Sequence, residues 1–386
     1  MDLAEDAPAE GWVLPEAAYI HVPFCRHRCG YCNFSVIANR DDLIEKFLIA
    51  ITQELNALES PRLKTLFLGG GTPTHLPNPA LARLLESLDQ QFDLSELTEF
   101  SVEANPEDIS EAKLELLACK GVNRISLGVQ SFQTTKLLSL ERGHTGDQGI
   151  AAVELASQYI PNVSIDLIFA APSESLKQWE QDVITAIQLP ISHLSTYALT
   201  YEKGTQFWNQ RLRGDMKELD ESVEIDMYNF TRQSCQQNGF RHYEVSNFAK
   251  AGSRCLHNMA YWKGEGWYAA GPGAARFVNG VREVNHRSTS TYLKRINEEQ
   301  SPVAERESIG VAQYTKERAA FGIRLIDGID LRALSQHVGF DTHTFLKDPI
   351  ELSIDDGLLV QEGDHLRLSD RGILFADTVA QRFLDS

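Results

Sequence analysis

The stretch Tyr19-Ile20-His21-Val22-Pro23-Phe24-Cys25-Arg26-His27-Arg28-Cys29-Gly30-Tyr31-Cys32 joins a short apolar run to three cysteines within eight positions. The run Ala18 to Val22 reads as a buried strand. The Cys-x3-Cys-x2-Cys loop then falls at its carboxyl end, where βα folds gather their functional groups. Three thiolates at this spacing can bind three irons of a cubane and leave the fourth iron open, unlike a four-cysteine cluster or a closed structural zinc site. An open iron implies a chelating substrate or cofactor. The competing readings are a zinc site and chance clustering, and no fourth Cys or His stands at finger spacing.

Working outward, further short apolar runs recur at Thr65 to Leu68, Glu99 to Glu103, Arg124 to Val129, Val163 to Phe169 and His193 to Ala198. Stretches of helical spacing lie between them, among them Asp41 to Leu58 and Pro79 to Phe92, each beginning near an Asp or Asn that could cap it. Six βα repeats in about 200 residues predict an α/β fold, an incomplete (β/α)6 barrel or a wound sheet. The strand ends collect polar groups: Gly69-Gly70-Gly71-Thr72-Pro73, Glu103-Ala104-Asn105-Pro106 and Gly128-Val129-Gln130-Ser131-Phe132. Asp166 sits inside an otherwise apolar strand, where a carboxylate needs a partner or a ligand.

The repeat is lost near residue 250. The expected division is an acidic N-terminal extension over 1–17, the barrel over 18–250 and a smaller α+β domain over 251–386. Residues 330 to 386 read as helix, helix, a two-stranded turn around Glu362-Gly363-Asp364 and a last amphipathic helix, a winged-helix-like arrangement over about 328–386. DNA binding does not follow, because residues 328–386 hold five Lys and Arg against eleven Asp and Glu, and a phosphate footprint is basic.

Composition agrees. The 386 residues are 42% hydrophobic, enough for a sizeable core, and their net charge of -18 repels nucleic acid and anionic lipid. No apolar run reaches the ~18 residues of a membrane span. Residues 1 to 17 contain five carboxylates and neither Lys nor Arg, unlike a secretory or transit peptide. Six cysteines are too few for a disulfide scaffold, and three clustered thiols point to metal in a reducing compartment. A cytoplasmic protein is expected.

The cysteine spacing resembles that of the radical S-adenosylmethionine (SAM) superfamily, and the frame Tyr19 to Cys25 is similar to the coproporphyrinogen III oxidase group. The likeness runs through Gly69 to Thr72, Glu103 to Pro106, Gly128 to Phe132, Arg142 and Asp166 into the second half. It implies a [4Fe-4S] cluster on Cys25, Cys29 and Cys32, with SAM chelating the open iron and an electron passed into its sulfonium to release a 5'-deoxyadenosyl radical. It places Gly70, Gly71, Thr72, Glu103, Gln130, Arg142 and Asp166 around SAM, with Tyr19 and Tyr31 beside the cluster. Glycines let backbone groups approach a small zwitterion, and an Arg suits a carboxylate. Taken singly, these residues would read as a tight turn, salt bridges and core hydrogen bonds.

Two departures narrow the resemblance. The oxidase proper carries one more cysteine where this chain has Phe34. In addition, Cys255-Leu256-His257-Asn258-Met259-Ala260-Tyr261-Trp262 contains His-Asn-x-x-Tyr-Trp, which resembles the HemW branch, proteins regarded as haem chaperones. That resemblance implies haem as cargo, haem-accepting proteins as partners, and an association that extends to a homodimer. Imidazole is a common haem ligand and an aromatic pair could flank a macrocycle, so His257, Tyr261, Trp262 and Cys255 are the candidate haem residues; the competing reading is an aromatic cluster packing a domain seam. The alternative functions are an oxygen-independent coproporphyrinogen III oxidase and an electron-transfer iron-sulfur protein with a vestigial SAM pocket. Cys119 and Cys235 read as buried thiols. Relatives usually have Gly-Leu-Pro where this chain has Ala170-Ala171-Pro172.

Overall fold

The computed structural model describes residues 7–58 and 61–386. Asp2, Glu5 and Asp6 of the acidic N-terminal segment lie outside the described residues.

The six apolar runs form β1 (Ala17–Val22), β2 (Thr65–Gly70), β3 (Glu99–Ala104), β4 (Arg124–Gln130), β5 (Asn162–Phe169) and β6 (His193–Ala198). They are joined by β7 (Arg241–Glu244), β8 (Asn247–Ala249) and β9 (Tyr268–Ala270) in one nine-stranded sheet of order β9-β1-β2-β3-β4-β5-β6-β8-β7. All pairs from β9 to β6 are parallel, and β8 closes that side antiparallel to β6 and β7. The strand order does not return on itself, so the barrel stays open between β9 and β7. Parallel pairing follows from the intervening helices, which carry the chain back over one face.

Alternation along the strands separates two environments. Ile20, Val22, Leu66, Leu68, Val102, Ile125, Leu127, Ile165 and Leu167 are fully buried and pack with helix residues such as Phe47, Ile51, Leu81 and Leu84 in one hydrophobic cluster. Each such side chain contributes about 1.5–3 kcal/mol on burial. The intervening positions are polar or aromatic: Tyr19 and His21, Phe67, Glu99 and Glu103, Arg124 and Ser126, Ser164 and Asp166. The barrel is therefore sealed by its outer face, and its inner face is free to hold chemistry.

Two local expectations are corrected. The stretch Asp41 to Leu58 divides into a 3-10 turn, Asp41–Leu43, and a helix, Ile44–Asn56; the second helix spans Asn78–Gln91. Neither has a side-chain cap, because the residues that precede them are Leu43 and Pro77. Reciprocal capping boxes occur instead at Thr145 with Gln148 and Ser175 with Gln178. Cys235 is buried, as expected, but Cys119 is exposed at the last residue of the Glu111–Cys119 helix.

Beyond residue 250 the chain returns to the sheet through β9, then forms a three-stranded sheet over Ala275–Val278, Val281–Asn285 and Val303–Ser308. The C-terminal part contains helices Leu331–Val338 and Lys347–Asp355, the hairpin Leu359–Glu362 with His365–Leu368, and helix Ala376–Asp385. Its buried Leu331, Leu346, Val379 and Phe383 belong to the same hydrophobic cluster as the barrel. Among the described residues no helix is long and apolar enough to cross a membrane.

Candidate functional site

The cysteine loop is fixed to the rim by backbone. Phe24–Cys25 pairs with Ile37–Ala38, and the next strand end reaches over: the Gly71 amide donates to Val22 O at 2.8 Å and the Thr72 amide to Phe24 O at 2.8 Å. The glycines serve this approach. A Cβ at Gly71 would stand 2.7 Å from the carbonyls of Val22 and Phe24, and one at Gly70, whose φ is +100°, would strike the His21 ring at 2.3 Å. The space their missing side chains leave is thus filled by the protein's own cysteine-bearing segment.

From there a chain of contacts links two thiols. Cys25 Sγ lies 3.7 Å from Thr72 Oγ1; Asn105 Nδ2 donates to Thr72 Oγ1 at 2.8 Å; Arg142 Nη2 donates to Asn105 Oδ1 at 2.5 Å and to Gly128 O at 2.7 Å; and Arg142 Nη1 reaches Cys29 Sγ at 3.6 Å. Burial opposes the Arg142 charge, but Tyr31, Cys29 and Glu107 outweigh it and hold the guanidinium charged. Arg142 Nε is buried without a partner. Burial pushes the Cys25 thiol up to about 12, against the pull of Thr72, and raises Cys32 as well.

Cys32 opens onto a cavity of about 820 Å³, bordered by Tyr31, Glu103, Gln130 and Asp166. Its volume lies within the range of small-molecule sites. Glu103 Oε2 accepts the Gly70 amide at 2.9 Å, and Asp166 Oδ1 accepts from Ser126 Oγ at 3.0 Å. Burial, and then Asp166, raise Glu103 to about 7; burial raises Asp166 to about 6 despite its hydroxyl partners Ser195 and Ser126. Two carboxylates held this way favour a cationic guest. Gln130 ends β4 at φ +65°, where the pairing with β5 shifts register; a non-glycine residue in this region is strained, as occurs at functional sites.

These residues fit a three-cysteine cluster and a zwitterionic cofactor. Among the described residues no three His, Cys, Asp or Glu side chains are grouped to hold a single ion, whereas a cubane binds each thiolate through a separate iron. A thiol raised by burial needs metal to displace its proton.

Region 19–184 matches the model of the Radical SAM superfamily and region 312–375 that of the HemN C-terminal domain. The chain is 34% identical to "Heme chaperone HemW" of Lactococcus lactis subsp. lactis over 96% of this chain and 97% of the relative. It is 32% identical to the protein of that name in Bacillus subtilis, over 96% and 99%. The chain belongs to the HemW family of radical SAM proteins. Among solved structures, coproporphyrinogen III oxidase (HemN) from Escherichia coli gives a TM-score of 0.84 at 20% identity, over 99% of this chain and 92% of that one; the likeness establishes the shared fold.

Eleven of the family-type positions thus meet at one rim: Cys25, Cys29, Cys32, Tyr31, Gly70, Gly71, Thr72, Glu103, Gln130, Arg142 and Asp166. Tyr19 stands deeper in the barrel, its hydroxyl 3.0 Å from His21 Nδ1 and its ring against Phe67. The HemW-type motif is not brought to the rim. Its helix, Leu256–Trp262, crosses the amino-terminal ends of the strands. Glu99, the first residue of β3, accepts the Leu256 amide at 2.8 Å, the His257 amide at 3.1 Å and the Cys255 thiol at 3.4 Å. Both His257 nitrogens are taken, Nδ1 by Thr65 Oγ1 at 3.0 Å and Nε2 by Tyr261 OH at 2.7 Å, and its ring stacks on Phe67. Burial lowers its pKa to about 3. Trp262 touches the cavity only indirectly, through Arg324, whose guanidinium lies 5.1 Å above its ring.

Sequence reasoning missed two contributors. Asn105 joins Thr72 to Arg142, and its place at the end of β3 was the available signal. Arg324 and Ile373 to Thr378 border the cavity, and nothing in their sequence marks them.

Proposed function

We propose that this protein binds haem and passes it to haem-dependent proteins, holding a [4Fe-4S] cluster on Cys25, Cys29 and Cys32 and SAM at the open iron. The observation that carries this reading is the full-length relationship to proteins named haem chaperones, supported by a rim that gathers Cys25, Cys29 and Cys32 with Glu103, Gln130, Arg142 and Asp166. When bound, the cluster supplies the electron needed to break a carbon–sulfur bond of a sulfonium. The chain's own residues do the positioning. Arg142 screens the Cys29 sulfur and, through Asn105 and Thr72, fixes Cys25. Glu103 and Asp166 receive the cationic and hydroxyl parts of SAM, and a cationic guest beside them favours their ionised forms. Gln130 is held strained toward the same space. The C-terminal residues Ile373 to Thr378 and Arg324 form a further wall of the cavity.

Phe34 stands, 62% exposed, at the cavity wall, where the oxidase group carries a cysteine, and this favours haem carriage over propionate decarboxylation. All six cysteines are free, consistent with a reducing cytoplasm. The test is transfer: cluster-reconstituted protein is loaded with haem, separated from excess, and mixed with an apo-haem protein while the recipient's absorption is followed. Appearance of the holo-recipient spectrum is expected, with no conversion of coproporphyrinogen III under reducing conditions with SAM. Catalytic formation of protoporphyrinogen would replace this reading by the oxidase.

A further inference from the structure

A second cavity of about 380 Å³ lies beside the cysteine loop. In a chain of net charge -18 its walls carry Arg28, Arg40, Lys203 and Arg287 and no carboxylate. Arg40 is engaged by Asp42 at 2.8 Å; Arg28, Lys203 and Arg287 form no ion pair among the described residues. Arg287 Nη2 donates to Asn33 O at 2.6 Å, which anchors that guanidinium to the loop that follows Cys32.

Two further observations point to a ligand. The nine-residue helix Thr289–Asn297 begins at this wall; the Ser288 hydroxyl caps the Thr291 amide, and the Thr289 and Ser290 amides, which have no intrahelical acceptor, favour an anion. Thr289 is only 3% exposed, lines the cavity, and its Oγ1 is buried without a hydrogen-bond partner. A buried hydroxyl left unpaired is costly unless a guest satisfies it. Phe34 borders both this cavity and the larger one, and offers an apolar ring between them.

We propose that this pocket is an oxyanion site that holds the carboxylate arms of the tetrapyrrole cargo, while the flat apolar body of the macrocycle lies on Phe34 toward the larger cavity. The proposal rests on the haem-carriage reading and names where that cargo is gripped. Three cationic side chains without an ion-pair partner among the described residues, Arg28, Lys203 and Arg287, offer more than one carboxylate a charge-assisted hydrogen bond. A concave pocket of this size suits the arms of a small molecule rather than a protein surface, and a bare inorganic anion would make no use of Phe34.

The test is absorption titration of the cluster-loaded protein with haem and with haem dimethyl ester, in which both carboxylates are capped. Wild type is compared with Lys203→Glu and Thr289→Val, each checked for unchanged cluster absorption. Lys203→Glu is expected to weaken haem binding by about tenfold or more, the worth of a charge-assisted hydrogen bond, with a smaller loss for Thr289→Val. The ester binds more weakly than haem to wild type and is indifferent to Lys203→Glu. Equal haem affinity in wild type and Lys203→Glu, or an ester bound as tightly as haem, overturns the site and leaves haem carriage standing. If wild type binds neither, haem carriage itself falls and the tetrapyrrole assignment with it; stabilisation by inorganic pyrophosphate that Lys203→Glu abolishes would then reassign the pocket to a phosphate ligand. A variant that keeps its haem affinity but accepts electrons more slowly from an acidic flavoprotein likewise overturns the assignment, in favour of donor docking.

Discussion

The two ends of the barrel treat their charges in opposite ways. At the amino-terminal end Glu99 receives the Arg124 guanidinium at 3.2 Å together with two amides and a thiol from the Cys255–His257 segment. At the carboxyl end Glu103 and Asp166 have an amide and hydroxyls, no cation in contact, and protons retained to about 7 and 6. Polar groups that the chain itself satisfies serve folding. Those it leaves short of partners, around a cavity, await a guest. The contrast also separates two sets of sequence motifs that look equally functional when read in one dimension.

The sharpest way to break this contrast is to remove a carboxylate from each end. Glu99→Ala leaves Arg124 buried and unpaired and is expected to cost about 3–5 kcal/mol in urea unfolding; a loss below 1 kcal/mol would show that the amino-terminal network is not structural. His257→Ala strips partners from Thr65 and Tyr261 and opens a cavity against Phe67, for about 2–4 kcal/mol. Its folded fraction should keep wild-type haem affinity, and a haem spectrum lost at unchanged stability would restore His257 as a ligand.

At the carboxyl end the sign reverses. The folded-state value of Glu103 is raised, so its contribution to stability is complete below the ordinary carboxylate range and is lost as pH rises to and through about 7. Glu103→Gln should therefore melt increasingly above wild type in the cofactor-free protein between pH 5 and pH 8, while losing SAM binding. A constant gap across that range would refute the assignment. The smallest effect is expected at the turn after β5. Ala170 stands at φ +59° and is buried, so a left-handed turn is made there without glycine, the residue that favours it. Ala170→Gly should stabilise by about 1 kcal/mol, measured by thermal unfolding.

Most of the carboxyl-terminal rim was legible in the sequence, because parallel strands put every strand end on the same side. The apolar runs marked the strands, with His193 to Ala198 recovered at its observed limits, and the residues just after each run formed the rim. The amino-terminal end was illegible for the complementary reason: Glu99 and His257 are 158 residues apart, and no periodicity announces that a strand's first residue will cap a distant helix. Cys119 was misread because helical spacing shows which residues share a face, while neighbours from other elements decide which face is covered. The cavity wall at Ile373 to Thr378 comes from packing between distant segments, which leaves no local trace.

The pairing of β9 with β1, Ala18 opposite Tyr268 and Ile20 opposite Ala270, sets a schedule for the growing polypeptide. Until residue 270 emerges from the ribosome, the strand leading into the cysteine loop has β2 on one side and unpaired amides and carbonyls on the other. An uncovered edge of that kind recruits foreign strands. A fragment stopped at residue 250 would keep Cys25, Cys29 and Cys32 and still leave that edge bare, so the strand that carries the cysteine loop is covered on both sides only once Tyr268–Ala270 has emerged.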